Sequence, residues 1–180
     1  LQGLIQNLPG LVWEWWGDEH LSGTRKNYVS GYVERMLGYE AKELQEHANF
    51  WTRIMHPDDR KKALSELTKI FKSKRKGTVT FRCRTKDGDT IWVETRCLTI
   101  LNKEARPVGM RGVMFDVTDR VELEERKTAF IGMASHELKT PLTSLVVYVQ
   151  LLENQLNKGD IQEYDKYVKR ISRQTHKLTT

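Results

Sequence analysis

Thr78-Val79-Thr80-Phe81-Arg82-Cys83-Arg84-Thr85 alternates apolar Val79, Phe81 and Cys83 with polar or charged neighbours. A period of two over eight residues is the signature of a half-buried strand. Lys86-Asp87-Gly88-Asp89 follows, and an Asp-Gly pair between two such runs marks a hairpin turn. The partner strand is Thr90–Ile100, and Pro107–Val117 adds a third. Upstream, Leu11-Val12-Trp13-Glu14-Trp15-Trp16 reads as an aromatic-rich strand and Lys26–Ser30 as a short one. Between them and the meander lie short helical stretches at Gly31–Leu37, Ala41–His47 and Phe50–Met55. Pro57 then opens a longer helix with Asp58 and Asp59 in its first turn, as the helix dipole prefers. Strands, then helices, then a meander predict an α+β domain: an antiparallel five-stranded sheet with flanking helices.

Beyond residue 118 the strand pattern ends. Leu138, Leu142, Leu145, Val149, Leu152 and Leu156 recur at alternating intervals of four and three, a heptad-like seam that Ile131 and Ala134 continue upstream. Asn157-Lys158-Gly159-Asp160 reads as a turn, with Asp160 as N-cap and Glu163 at capping-box spacing. A second helix continues the seam at Ile161, Tyr164, Val168, Ile171, Thr175 and Leu178. An antiparallel helical hairpin follows, and pairing of two chains into a four-helix bundle is the expected way to bury both stripes.

Composition narrows the function. The 180 residues are 38% hydrophobic and 30% charged, too apolar for a disordered chain. No apolar run approaches the roughly 20 residues of a membrane span. The N-terminus lacks both an initiator Met and the layout of a signal peptide, and reads as a cut inside a longer chain. Thirty Lys and Arg against 24 Asp and Glu give a net charge of +6. The basic run Lys69–Lys76 is expected to sit at a helix end, where cations complement the dipole. No base-reading motif accompanies the charge, so no nucleic-acid partner is expected. The two cysteines, Cys83 and Cys97, have no metal-ligand spacing, and no metal site is expected. With the hairpin centred between Asp87 and Gly88, Cys83 faces position 92 and Cys97 faces position 78. The sulfurs then lie about five residues, roughly 16 Å, apart along the ladder, too far for a disulfide. Reduced core thiols in a cytoplasmic protein are expected, with an upstream membrane anchor left open. The five tryptophans are expected to be core and interface aromatics, not a cofactor cage.

One motif carries chemistry. Ala134-Ser135-His136-Glu137-Leu138-Lys139-Thr140-Pro141-Leu142 lies inside the first long helix. Pro141 removes the hydrogen bond to the Glu137 carbonyl, yet Leu142 and Leu145 continue the seam, so the helix bends without stopping. His136 lies about 160° from Leu138 around the helix and should face solvent, where a neutral imidazole is a nucleophile. Thr140 follows one turn later on the same face, and Glu137 is adjacent to accept a ring proton.

Two family resemblances fit these residues. Tyr28-Val29-Ser30, Met36-Leu37-Gly38-Tyr39, Phe50-Trp51, His56-Pro57-Asp58-Asp59-Arg60, Lys86-Asp87-Gly88, Trp92-Val93 and Gly112–Thr118 stand in an order that resembles a PAS sensor domain. The Asp116-Val117-Thr118 ending, with Asp116 and Thr118, is the signal-relay motif that this resemblance implies. Ser135–Leu142 resembles the H-box of sensor histidine kinases. That resemblance implies His136 as phosphoacceptor and Glu137 as its assisting base. It also implies Glu137 and Thr140 as the pair that positions water for response-regulator dephosphorylation, and Pro141 as the kink. The implied arrangement is a PAS domain over 1–118, a helical linker over 119–128 and a dimerisation and phosphotransfer domain over 129–180. The linker holds no Gly or Pro and is expected to be continuous helix, with Val121 and Leu123 as weak seam material. The implied partners are a second copy, a cognate response regulator and an ATP-binding catalytic domain of the same protein. ATP and Mg would enter through that domain; with no asparagine-rich ATP box in the chain, it should be inactive alone. No cofactor of its own is implied, and the PAS ligand stays unknown: Cys83 and Cys97 lack the Asn-Cys-Arg-Phe context of flavin-binding photosensory PAS domains. His56 is expected to be structural, and His20, His47 and His176 have no supporting residues. A non-catalytic PAS dimerisation and signal-relay module is the competing reading.

Overall fold

The computed structural model describes residues 9–17, 27–46, 50–157 and 164–179. They belong to two compact units, Leu1–Val121 and Glu122–Thr180. His20, His47, the turn at 157–160 beyond Asn157, Asp160, Ile161 and Glu163 fall outside the described residues.

The first unit is an antiparallel five-stranded sheet with helices against its inner face. The strands are β1 (Leu11–Trp16), β2 (Asn27–Val29), β3 (Lys76–Arg84), β4 (Thr90–Leu101) and β5 (Pro107–Asp116), in the order β2-β1-β5-β4-β3. Four helices stand between β2 and β3: α1 (Tyr32–Leu37), α2 (Ala41–Glu46), α3 (Phe50–Ile54) and α4 (Pro57–Ser73). The period-two reading of the meander holds. Val79, Phe81 and Cys83 on β3 and Val93, Thr95 and Cys97 on β4 are buried, and Met110 and Met114 continue the inner row on β5. Val33, Leu37, Leu44, Phe50 and Ile54 pack down from the helices to close the core.

β3 is an edge strand, and its free backbone is covered at Arg82 and Cys83, which shortens the template for unwanted pairing. His56 N–H donates to the Arg82 carbonyl at 2.8 Å, and Met55 bridges Cys83. Asp59 reaches the same place: its Oδ2 accepts from Arg82 N and Nε, and its Oδ1 from Arg82 Nη2, all within 2.9 Å. The two-pronged geometry holds the Asp59 carboxyl down at about 2, chiefly through the Arg82 hydrogen bonds. His56 caps α4, its Nδ1 accepting from Asp58 N at 3.3 Å, which gives it the structural role expected.

Two sequence expectations need correction. The β3–β4 register pairs Cys83 with Ile91 and Cys97 with Gly77, one residue from the expected 92 and 78. The loop has three residues between paired Thr85 and Asp89, not two, with Gly88 at φ 95° supplying the left-handed step. Lys86 N–H is spent on the Leu37 carbonyl at 2.9 Å, a contact from α1 that no local turn rule contains. The cysteines thus stand six residues, roughly 20 Å, apart along the ladder; both are free and buried. The basic run Lys69–Lys76 is not one helix end. α4 stops at Ser73, Lys74 turns left-handed at φ 57°, and Lys76 already pairs with Leu98 on β4.

The helical elements are α5 (Thr118–Asn157) and α6 (Tyr164–Thr179). α5 is one forty-residue helix that runs through both the linker and Pro141, as expected. Arg170 of α6 lies over the Tyr148 ring of α5, 5.6 Å from its centroid, so the second helix lies alongside the first. α5 has no buried residue. The expected seam is split: Ala134, Leu145 and Leu152 are half-buried, while Ile131, Leu138, Leu142, Val149 and Leu156 remain 42–56% exposed. Cover falls instead toward Pro141, Ser144, Tyr148 and Gln155, about 60° round the helix. One neighbour can cover only one side of an apolar stripe this wide. Among the described residues no helix is long and apolar enough to cross a membrane.

Candidate functional site

His136 sits near the middle of α5 with its side chain exposed, and Glu137, Lys139 and Thr140 around it are exposed as well. Helical spacing sets His136 and Thr140 on one face, about 160° from Leu138. Thr140 Oγ1 donates back to the His136 carbonyl at 3.4 Å. Thr143 does the same to the Lys139 carbonyl at 2.8 Å, and Ser144 to that of Thr140 at 3.1 Å. Such back-bonds lock hydroxyl rotamers and favour local bending. Here they flank Pro141, which is half-buried and whose missing N–H leaves the Glu137 carbonyl without its helical donor. The segment thus presents an open imidazole, a neighbouring carboxylate and a positioned hydroxyl within one helical turn. Exposed Met133, Val147 and Leu151 lie near the His136 face and give it apolar flanks.

A second cluster lies where the sheet passes into α5. Thr118 Oγ1 donates to Asp116 Oδ1 at 2.6 Å and accepts from Trp92 N at 3.0 Å. Asp116 Oδ1 also accepts from Thr118 N at 2.9 Å, and Val117 N donates to the Trp92 carbonyl. Asp116 and Thr118 therefore pin the first turn of α5 to the start of β4. Glu94 completes the joint. Its side chain is only 11% exposed; one carboxylate oxygen accepts from Arg120 of α5 at 2.5 Å and the other from Arg96 Nε at 2.9 Å. The Arg120 hydrogen bond, with Arg96 adding to it, lowers the Glu94 pKa against the opposing effect of burial. Sequence reasoning passed over Glu94. Its signal was a carboxylate on the outward phase of a strand, two residues after Trp92, with an arginine just past Thr118.

The other sequence candidates are scattered. His56 serves as a cap in the first unit and His176 lies on α6. Among the described residues no group of three or more His, Cys, Asp or Glu side chains could hold a metal ion.

Comparison with known proteins gives two family matches. Residues 26–114 match the PAS fold, and residues 126–180 match the His Kinase A phospho-acceptor domain. A hybrid signal transduction histidine kinase A of Dictyostelium discoideum is 28% identical over 149 residues, 73% of this chain and 7% of that protein. The sensor protein kinase WalK of Staphylococcus haemolyticus is 37% identical over 62 residues, 34% of this chain and 10% of the relative. The chain thus spans a tenth or less of the length of these relatives. Among solved structures, a sensory box histidine kinase/response regulator from Burkholderia thailandensis superposes with a TM-score of 0.56. It is 27% identical and covers 77% of this chain and 96% of its own. The N-terminal domain of a diguanylate cyclase with a PAS/PAC sensor from Marinobacter aquaeolei shares the fold, with a TM-score of 0.54 at 17% identity over 62% of this chain and 97% of its own. A PAS fold followed by a His Kinase A phospho-acceptor domain, with histidine kinases as relatives of both, makes this chain a fragment of the two-component sensor histidine kinase family.

Proposed function

We propose that the chain is the signal-input and phosphoacceptor portion of its kinase, with His136 as the group that is phosphorylated. The observation that carries this reading is the exposed His136 imidazole beside Glu137 and one turn from Thr140, inside the matched phospho-acceptor segment. A ring nitrogen attacks the γ-phosphorus of ATP held by a catalytic domain; the N–P bond forms, the bond to the bridging oxygen breaks, and ADP leaves. Glu137 takes the ring proton. An aspartate oxygen of a response regulator then displaces the imidazole, which regains a proton. Thr140 orients the water that later hydrolyses the regulator's phosphate. The exposed stripe Ile131, Leu138, Leu142, Val149 and Leu156 faces away from His136 and suits a second copy, leaving the histidine open to both partners. The Glu94–Arg120 and Trp92–Thr118 contacts make the start of α5 part of the PAS sheet, so a change in the sheet reaches the helix that bears His136.

The test supplies ATP and a matching catalytic domain in trans. The chain should gain one acid-labile, base-stable phosphoryl group, lost in His136→Gln and retained in His176→Gln. Thr140→Ala should keep this labelling and slow regulator dephosphorylation by about 10-fold or more. Label surviving in His136→Gln overturns the assignment. No label at all in the wild-type chain favours the non-catalytic relay module.

A further inference from the structure

The basic run that the fold breaks at Ser73 is gathered again at one end of the PAS unit. Lys69 and Lys72 stand exposed on the last turns of α4, and Lys74, Arg75 and Lys76 on the crossing into β3. Thr99 Oγ1 donates to the Ile70 carbonyl at 3.1 Å, so β4 passes beside the end of α4. Just beyond Thr99, the β4–β5 turn brings exposed Lys103 and Arg106 to the same end. Glu104 is the one carboxylate on these two segments, Lys69–Lys76 and Leu98–Val108. Seven cations against one anion leave an excess of six, equal to the net charge of the whole chain. The rest of the chain therefore sums to neutral, and its basicity belongs to this end. A helix dipole accounts for cations only in its last turn, and Lys103 and Arg106 are not on the helix.

The make-up of this surface says what it meets. Five of the seven cations are lysines, flexible point charges and not planar forks fixed on one phosphate. Leu98 and Leu101 stand among them 46% and 42% exposed, with Leu98 paired directly to Lys76. Half-buried Trp16 pairs with Gly109 near the start of β5 and so lies at the same end. A nucleic acid has no use for exposed leucines; its bases ask for stacking rings or groups that read their edges. A bilayer interface takes all three residue types: anionic headgroups for the lysines, the acyl boundary for leucine, and the zone between them for tryptophan. Thr118, where α5 begins, lies past the other end of β5, roughly 30 Å away at strand rise, so the helix start leaves this end uncovered.

We propose that this end of the PAS unit is a docking surface for an anionic phospholipid bilayer, met by the seven cations and by Leu98 and Leu101. The 180-residue chain should co-sediment with phosphatidylcholine vesicles containing about one-third phosphatidylglycerol, and not with vesicles of phosphatidylcholine alone. Raising salt from about 0.1 M to about 0.5 M cuts the screening length from about 10 Å to about 4 Å and should release it. Lys69→Glu, Arg75→Glu and Lys103→Glu together should weaken binding at least about 10-fold. The charge-matched set Lys42→Glu, Arg53→Glu and Arg84→Glu, on α2, α3 and the far end of β3, should change it by less than about 3-fold. Leu101→Ser should weaken it by about 3-fold and keep the salt dependence. An unchanged PAS melting transition checks that each variant folds; if the first set does not, Lys103→Glu with Arg106→Glu on the turn replaces it, with about 5-fold weaker binding expected. The proposal is overturned by no sedimentation with anionic vesicles, by equal losses in the two charge-matched sets, or by unchanged binding in Leu101→Ser. Tighter binding to mixed-sequence RNA at equal phosphate concentration also overturns it. The readout is vesicle binding alone, so it stands or falls separately from the phosphorylation of His136.

Discussion

The PAS unit takes Leu11, Val33, Leu37, Leu44, Cys83 and Val93 entirely out of solvent, whereas α5 buries none of its forty residues and leaves Leu138 and Leu142 half exposed. Both regions are rich in leucine and valine, so composition does not explain the contrast. A twisted sheet with helices against one face closes a core within one chain. Two helices side by side have only one shared line of contact, and the remaining apolar surface must find a neighbour. The first unit is therefore self-contained, and the second leaves an apolar stripe uncovered. On the proposed function, that stripe takes a second copy while the His136 face stays free.

If this contrast is right, damage to the two regions should look different. Leu37→Ala should cost about 2–5 kcal/mol, because the side chain is fully enclosed. A calorimetric scan should show the PAS transition falling by about 10 °C or more, at any protein concentration. Leu142→Asp should instead weaken self-association by at least about 100-fold, read by analytical ultracentrifugation, and leave the PAS transition in place. A Leu142→Asp chain that associates normally would break the comparison.

A smaller effect separates local electrostatics from packing. Arg82 depresses the Asp59 carboxyl from 3.8 to about 2, so Asp59 contributes stability above pH 4 that is lost as pH falls toward 2. That contribution is about 1–2 kcal/mol after allowance for partial solvent exposure. Asp59→Asn should lower PAS stability at pH 7 and flatten its fall between pH 4 and pH 2, measured by denaturant titration across that window. The smallest change concerns the joint. Arg120→Ala removes a half-exposed partner of Glu94 and should cost within about 1 kcal/mol. Amide hydrogen exchange should rise in the first turn of α5 while the β3–β4 ladder keeps its protection. Equal exchange in both places would mean that the Glu94 contact does not hold the helix start.

Most of the first fold was legible because it is written in local periods. Alternation of Val79, Phe81 and Cys83 specifies a strand with one buried face, and Pro57-Asp58-Asp59 specifies a helix start, without reference to anything distant. The H-box segment was legible for another reason: a histidine, a carboxylate, a threonine and a proline at fixed helical spacing are a local pattern. The hairpin register was not, because Lys86 answers to the Leu37 carbonyl, 49 positions away in sequence. Glu94 was not, because its meaning depends on Arg120 being folded back beside it. Nor was the split seam of α5: the heptad spacing told that a stripe is apolar, while the place of α6 against it decided which edge is covered. Sequence determined the elements and the chemistry that a single helix displays, since both arise from neighbours within a turn or a strand. Tertiary structure decided register, enclosure and charge pairing, since each depends on atoms that only folding brings within bonding distance.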